Sequence, residues 1–480
     1  GSQDLIPGNN ICAGKPIPST GVPNCRLPRE LNLKSQIVSE TKMHNINFNN
    51  TRQTIDRYML ADGLEFIIDL EKSHGAWLVD GRDGREYLDL FSMFASMPVG
   101  YNHPYILDNK ERLLNAVINK PTNSDIYSTQ MAEFVDTVGR LAQPDYLPHS
   151  FYIEGGALGV ENALKTAFDW KAHKNIEKGK GEKGNQVIHL EECFHGRTGY
   201  TLSLTDSPDK RKTNHFPKFD WPRVINPKIQ FPLHAENLEN VKSLEEQSIR
   251  QIKDAIHNNP DDIAAIILEP IQGEGGDNHF RGEYLQALRE LALENEFLLI
   301  FDEVQTGVGI TGKMWAHQNF NDVTPDIIAF GKKTQCCGIF CGTRIDEVDD
   351  NVFNISSRLN STWGGNLSDM VRFSLYLEIM DEEELVEKAA ESGKYLLKNL
   401  ENLQNEYSHL ISNARGRGLF CAFDLPDGDI RDKMVQNIAE EGAIVLGSGV
   451  RSIRFRPHLN ISRNEIDQGI SMIKNSLDRC

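Results

Sequence analysis

Five short apolar runs in the middle of the chain each end on residues that can do chemistry. FYIE is followed by Gly155-Gly156-Ala157, VIHL by a loop holding Phe194-His195-Gly196-Arg197, and AAIIL by Glu269 and then Glu274. FLLIF gives way to Asp302, Glu303 and Gln305, and IIAFG to Lys332 and Lys333. Ligands of a parallel sheet bind beyond the carboxyl ends of its strands, so residues at successive strand ends are candidates for one site. Their types are complementary. A lysine amine can form an imine, and a carboxylate can keep a pyridine nitrogen protonated, which is what pyridoxal phosphate (PLP) requires of a protein. Lys332 and Asp302 fit those two roles. Glycines before a helix leave backbone N–H groups open to a phosphate at the positive end of the helix dipole. Phe194 can stack on a ring, and Arg197 and Arg454 offer forked donors suited to carboxylates.

Each residue taken alone has a plainer explanation. An aspartate at a strand end is commonly a helix cap or half of a surface ion pair, and a strand-end lysine is commonly just solvated. Gly-Gly before a helix is ordinary turn chemistry, and Arg454 in RFRP can pair with a structural acid. The weight lies in their falling together at successive strand ends. A rival motif, Gly307-Val-Gly309-Ile-Thr-Gly312 with Asp326 further on, satisfies the dinucleotide pattern G-x-G-x-x-G. DEVQT separates its glycines from the strand, and TGKMWAHQ makes a poor phosphate-binding helix.

The elements that must position these residues follow from alternation. Apolar strands interleaved with helical stretches predict an α/β fold with a mostly parallel sheet covered on both faces. ALGVENALKTAFDWKAHK carries Val160, Leu164, Ala167 and Phe168 at helical spacing. Upstream, FIIDLEKSHGAWLVDGRDGREYLDL reads as short strands broken by Asp-Gly turns, a small antiparallel unit. From about Val348 the chain turns helical (DEEELVEKAAESGKYLLKNLENL), then gives RGRGLFCAFDL and RSIRFRPHLNI as strands, a second, smaller α+β domain. The expected organisation is a leader over 1–60, part of the small domain over 61–104, a large PLP-binding domain over 105–346, and the rest of the small domain over 347–480. The leader, rich in Pro, Asn and Gly (PIPSTGVPNC, HNINFNN), shows no apolar period.

A chain of 480 residues with 39% hydrophobic and 25% charged side chains can bury a large core without disulfide or metal staples. Its net charge of -18 argues against nucleic acid or anionic membrane as a partner. Eight scattered cysteines lack zinc spacing, and the adjacent Cys336-Cys337 cannot easily close a disulfide, so a reducing, cytoplasmic location is expected. GSQDLIPGNN lacks the apolar core of a signal peptide, and no run approaches membrane-span length. The glycosylation patterns at Asn49 and Asn360 carry no weight in that setting.

DEVQTGVG followed some thirty positions later by PDIIAFGK resembles the cofactor signature of class III (omega) aminotransferases, and YNHP, FHGR, EPIQGEGGD, STWGGN, RGRGLF and RFRP agree in order. The resemblance covers most of the chain from about residue 60. FYIEGGALGVENALKTAFDWK, FGKKTQ and LNSTWGGNL are most similar to L-lysine 6-aminotransferases, which pass the terminal amine of lysine to 2-oxoglutarate; GABA aminotransferases are the runner-up. The resemblance implies the PLP-dependent transferase fold type I, with Lys332 as Schiff-base lysine and Asp302 facing the pyridine nitrogen. It implies Gln305 at the ring hydroxyl, Phe194 on the ring face, Gly156 and Ala157 at the phosphate, and Thr362 completing the phosphate site from the neighbouring subunit of a homodimer. Arg454 would hold the 2-oxoglutarate carboxylate nearest the reacting carbon, Glu274 would pair with it when lysine occupies the site, and Arg197 would bind the distal carboxylate. Two departures stand out: Cys336-Cys337, where many members are glycine-rich, and the leader, which has no counterpart.

Overall fold

The computed structural model describes residues 45–479. Residues 1–44, which include the PIPSTGVPNC stretch, lie outside the described residues.

A seven-stranded sheet forms the centre, in the order His149–Ile153, Cys337–Cys341, Ile327–Phe330, Leu298–Asp302, Ile263–Leu268, Gln186–Leu190, Arg223–Val224. All neighbouring pairs from Ile327–Phe330 to Arg223–Val224 are parallel. Only Cys337–Cys341 runs antiparallel to its neighbours. The sequence reading missed this strand, because CGIFC follows the Lys332 segment without a helix between. Helices Gly156–Glu177, Ala235–Asn258 and Gly282–Glu294 supply the crossovers that parallel strands need.

The apolar runs are continuous because both sheet faces are covered. Ala265, Ile267, Leu298, Ile300, Ile327 and Ala329 pack against Val160, Leu164, Ala167 and Trp170 of the first crossover helix. The alternate residues Ile266, Leu268, Leu299, Phe301, Ile328 and Phe330 join the opposite core. Register brings the carboxyl ends level: His189 lies opposite Ile267, Leu268 opposite Phe301, and Asp302 opposite Ala329. Residues one step beyond those ends therefore share one edge of the sheet.

Trp77–Val79 and Glu86–Asp89 pair antiparallel as expected, but the unit is not purely antiparallel, since Ala443–Ile444 from the far end of the chain adds to Glu86–Asp89 in parallel. A four-stranded antiparallel sheet, Ser412–Arg417, Phe420–Asp424, Ser452–Phe455 and Leu446–Ser448 in that order, carries RGRGLFCAFDL and RSIRFRP. Residues 45–63 form a unit of their own. There the sequence suggested no regular structure, yet a 3-10 turn Phe48–Asn50 leads into a short helix Thr51–Asp56. The reason is capping, since Asn47 Oδ1 accepts from the N–H groups of Asn49 and Asn50 while Asn50 Oδ1 accepts from Asn47 N–H.

Arg456 links the strand Ser452–Phe455 to the loop beyond Leu268. Its guanidinium donates to both oxygens of Asp277 at 2.8 Å, and both side chains are buried. Arg456 Nε and Nη2 also donate to Gln305 Oε1 at 3.1 and 3.0 Å, and the guanidinium lies over the Phe420 ring. Removing one member of a buried pair strands the other charge. Arg456→Met is expected to lose about 3 kcal/mol, the lower end of the range for buried pairs because Asp277 keeps a 3.2 Å hydrogen bond from Ser448. The fall in urea midpoint measures it, and Asp277→Asn in the Arg456→Met background should recover part of the loss.

Candidate active site

At the carboxyl edge of the central sheet lies a cavity of about 410 Å³. Gly156, Ala157, Phe194, Arg197, Glu274, Asp302, Gln305, Lys332 and Arg454 all line it. Thr362 does not; it sits on an exposed turn. Lys333, adjacent to Lys332, points elsewhere: its buried amine donates to the carbonyls of Gln305 at 2.9 Å and Ala95 at 3.2 Å.

One end of the cavity is built by Gly155, which at φ 92° takes a conformation few other residues adopt and opens the helix Gly156–Glu177. No side chain caps this N-terminus and no acid stands in its first turn. A Cβ at Gly156 would lie 2.7 Å from Val304, so glycine is needed for the helix to approach the loop after Asp302. Open N–H groups at the positive end of a helix dipole suit a phosphate.

Asp302 is buried, with Oδ1 accepting from Val304 N–H at 3.0 Å and Oδ2 contacting His195 Nδ1 at 2.7 Å. Burial opposes a charge on the His195 imidazole, but the Cys193 sulfur and the Asp302 carboxylate outweigh it and hold its pKa well above the ordinary range. His195 thus acts as a fixed donor that orients the Asp302 carboxyl group. The sequence showed His195 only as part of FHGR, and nothing in its position on the chain marked it as the partner of an aspartate 107 residues away. Glu269 shapes the neighbouring loops by accepting from Phe194 N–H and Gly273 N–H, both at 2.9 Å. Burial pushes its carboxyl up to about 7, against the lowering effect of His195. Glu303 is structural: it accepts from Thr306 Oγ1, from the N–H groups of Ala316 and His317 and from the His317 ring.

Lys332 has a left-handed backbone, φ 53°, after an extended Gly331. Among the described residues its amine has neither a hydrogen bond nor an ion pair. Burial, and then the Arg454 guanidinium, hold its pKa below the usual lysine range. Arg454 is 3.8 Å from Glu274 through Nη2, while its buried Nη1 has no partner. A buried guanidinium with an idle donor is prepared for a carboxylate. Arg197 is exposed at the rim.

Three further residues line the cavity that the sequence did not single out, Lys212, Phe94 and Val304. Phe94 belongs to Ser92–Ala95, four successive non-glycine residues with φ between 42° and 62°. Such a run is costly and is held here from outside: Asp89 accepts from the N–H groups of Phe91 and Ser92, Ser92 Oγ donates to Arg456 O, and Lys333 donates to Ala95 O. The dinucleotide motif has no such support. Bends and then the short 3-10 helix Ala316–Asn319, not an α-helix, follow Gly312, and Asp326 lies at the opposite end of its strand between Arg289 and Arg344, each at 2.9 Å. The donor set as a whole fits PLP, with an amine for its carbonyl, an acid for its ring nitrogen and open N–H groups for its phosphate.

The family model for class-III aminotransferases matches residues 58–477. The L-lysine-epsilon aminotransferase of Mycobacterium tuberculosis is 49% identical over 429 residues, covering 88% of this chain and 94% of that protein. The enzyme of the same name from Streptomyces clavuligerus is 46% identical over 437 residues, 90% and 95%. Human mitochondrial 4-aminobutyrate aminotransferase is 34% identical over 424 residues, 83% and 82%. A solved M. tuberculosis lysine aminotransferase superposes with a TM-score of 0.88 at 48% identity, covering 90% of this chain and all of that one. On this evidence the chain belongs to the class-III aminotransferases, PLP-dependent enzymes of fold type I.

Proposed function

We propose that this enzyme transfers the terminal amino group of L-lysine to 2-oxoglutarate, giving 2-aminoadipate 6-semialdehyde and glutamate in a ping-pong cycle. The observation that carries the choice of lysine is the 46–49% identity to proteins named L-lysine-epsilon aminotransferase, against 34% for 4-aminobutyrate aminotransferase. The placement of an Arg454–Glu274 pair beside Lys332 supports it chemically.

In this reading PLP is held by Lys332 covalently, by Gly156 and Ala157 at its phosphate, by Phe194 on its face and by Gln305 and Asp302 at its ring. When bound, it supplies an electron sink for the carbon that loses a proton. Lys332 Nζ takes that proton from the donor carbon and, in the second half-reaction, delivers one to the former carbonyl carbon of the acceptor; its lowered pKa makes the neutral amine available as a base. One pocket must accept an uncharged chain in the first half-reaction and a carboxylate in the second. Glu274 neutralises Arg454 for the first, and yields it to the 2-oxoglutarate carboxylate for the second. Arg197 at the rim binds the distal carboxylate of either substrate.

The same reading makes the enzyme a homodimer in which Thr362 reaches the neighbouring subunit's phosphate site; it is exposed and does not line its own cavity, in keeping with this. It assigns 61–104 and 347–480 to the small domain and 105–346 to the large one, consistent with the sheet that joins Glu86–Asp89 to Ala443–Ile444. It also sets the enzyme in the cytoplasm, in keeping with the free, buried state of the described cysteines; no helix among the described residues is long and apolar enough to cross a membrane.

A donor panel of lysine, ornithine, 4-aminobutyrate and β-alanine with 2-oxoglutarate, read as glutamate formed, tests the donor. Lysine should give the highest kcat/KM. A preference for 4-aminobutyrate would overturn the lysine assignment and leave the transaminase intact.

A further inference from the structure

Glu274 has two cationic neighbours. Its Oε2 lies 3.8 Å from Arg454, a loose contact, while its Oε1 makes a close ion pair with Lys212. Lys212 ends the 3-10 turn Lys210–Lys212, whose start is fixed by Asp209 accepting from Arg211 N–H. The other two cations of this turn are committed outward, Lys210 to Asp206 at 3.1 Å and Arg211 to Asp209 at 2.8 Å. Lys212 turns into the cavity, with its amine 5.9 Å from the Phe194 ring centre.

The exchange proposed for Arg454 has an unfinished balance. When an acceptor carboxylate takes the guanidinium, Glu274 is left as an anion beside an incoming dianion, in a partly buried setting where an unpaired charge is costly. Lys212 is placed to cancel that cost, because its pair with Glu274 does not use the oxygen that faces Arg454.

We propose that Lys212 is a positioning residue for acceptor selection: it retains Glu274 when a dicarboxylate occupies Arg454, and so favours the oxo-acid half of the cycle without touching the acceptor. The inference rests on the Glu274–Arg454 exchange of the proposed function. Lysine leaves the Arg454–Glu274 pair intact and does not draw on Lys212.

The test is binding of glutarate, a non-reacting dicarboxylate, to the PLP-loaded enzyme by calorimetry, together with separate rates for the two half-reactions. Lys212→Met should weaken glutarate binding about five- to tenfold, the low end of coupling between linked sites, and raise KM for 2-oxoglutarate similarly, with KM for lysine changed less than twofold. Lys212→Arg should restore glutarate binding. Glu274→Gln alone should strengthen it, and in that background Lys212→Met should have less than a twofold effect. An undiminished loss in the Glu274→Gln background would show direct contact with the acceptor and overturn the proposal, as would no loss in the parent enzyme. Glutarate binding unchanged by Glu274→Gln would bring down the exchange and Lys212's role together. Failure of lysine as donor, with the glutarate results as stated, would remove only the donor assignment.

Discussion

Lys332→Ala is expected to abolish turnover, by on the order of 10⁴-fold or more, the upper end of what one positioned proton carrier contributes. The purified variant should also lose the visible absorbance of covalently held PLP. The informative control is one residue away. Lys333 is buried, donates to the carbonyls of Ala95 and Gln305, and does not line the cavity. Lys333→Ala should keep the colour of the covalent adduct while weakening the left-handed turn that presents Phe94. Loss of colour on Lys333→Ala, with colour kept on Lys332→Ala, would move the assignment by one residue. A pH arm follows from electrostatics. Arg454 lowers the pKa of Lys332, so removing the guanidinium raises it. In the Arg454→Met apoenzyme the rate of colour formation with added PLP should need a higher pH than in the parent. Glu274 acts in the opposite sense, and Glu274→Gln should move the profile to lower pH.

Much of this site could be read before any coordinates, for a physical reason. Continuous apolar strands in a parallel sheet end at one edge, so Ala157, Phe194, Asp302 and Lys332 had to be neighbours once the strands were recognised. Arg454, on a different sheet, was marked by its forked donors, but its pairing with Glu274 came from resemblance. What escaped has a common origin. Phe94 reaches the cavity through a left-handed run of Ser, Met, Phe and Ala, residue types that give no sign of it. Lys212 enters from a charged surface-like stretch, DKRK, in which its neighbours face outward. His195 and Asp302 are joined only by the fold. Cys337–Cys341 went unread because it enters the sheet as a reversed strand with no crossover helix to announce it.

Asp302→Ala should be nearly as damaging as loss of Lys332, with kcat lowered on the order of 10³-fold, the scale for removing one preorganised electrostatic group from a water-poor site. His195 matters to this effect as much as the carboxylate does. With the His195 imidazole, whose pKa is held high, 2.7 Å away and the Val304 N–H at 3.0 Å, the Asp302 carboxyl group is fixed in one orientation. Asp302→Asn keeps the shape, but its amide presents no anion to a ring nitrogen and places an N–H₂ or a neutral oxygen against His195. It should therefore bind PLP with visible colour yet remain almost inactive, so that colour and turnover separate. His195→Gln should give an intermediate result, with tens-fold slower turnover, because Asp302 keeps its carboxyl group but loses the ring donor that orients it. If Asp302→Asn retained more than a tenth of the parent kcat, charge at this position would not be what drives the proton step. The ring-nitrogen role would then have to be given up, while Lys332 kept its own.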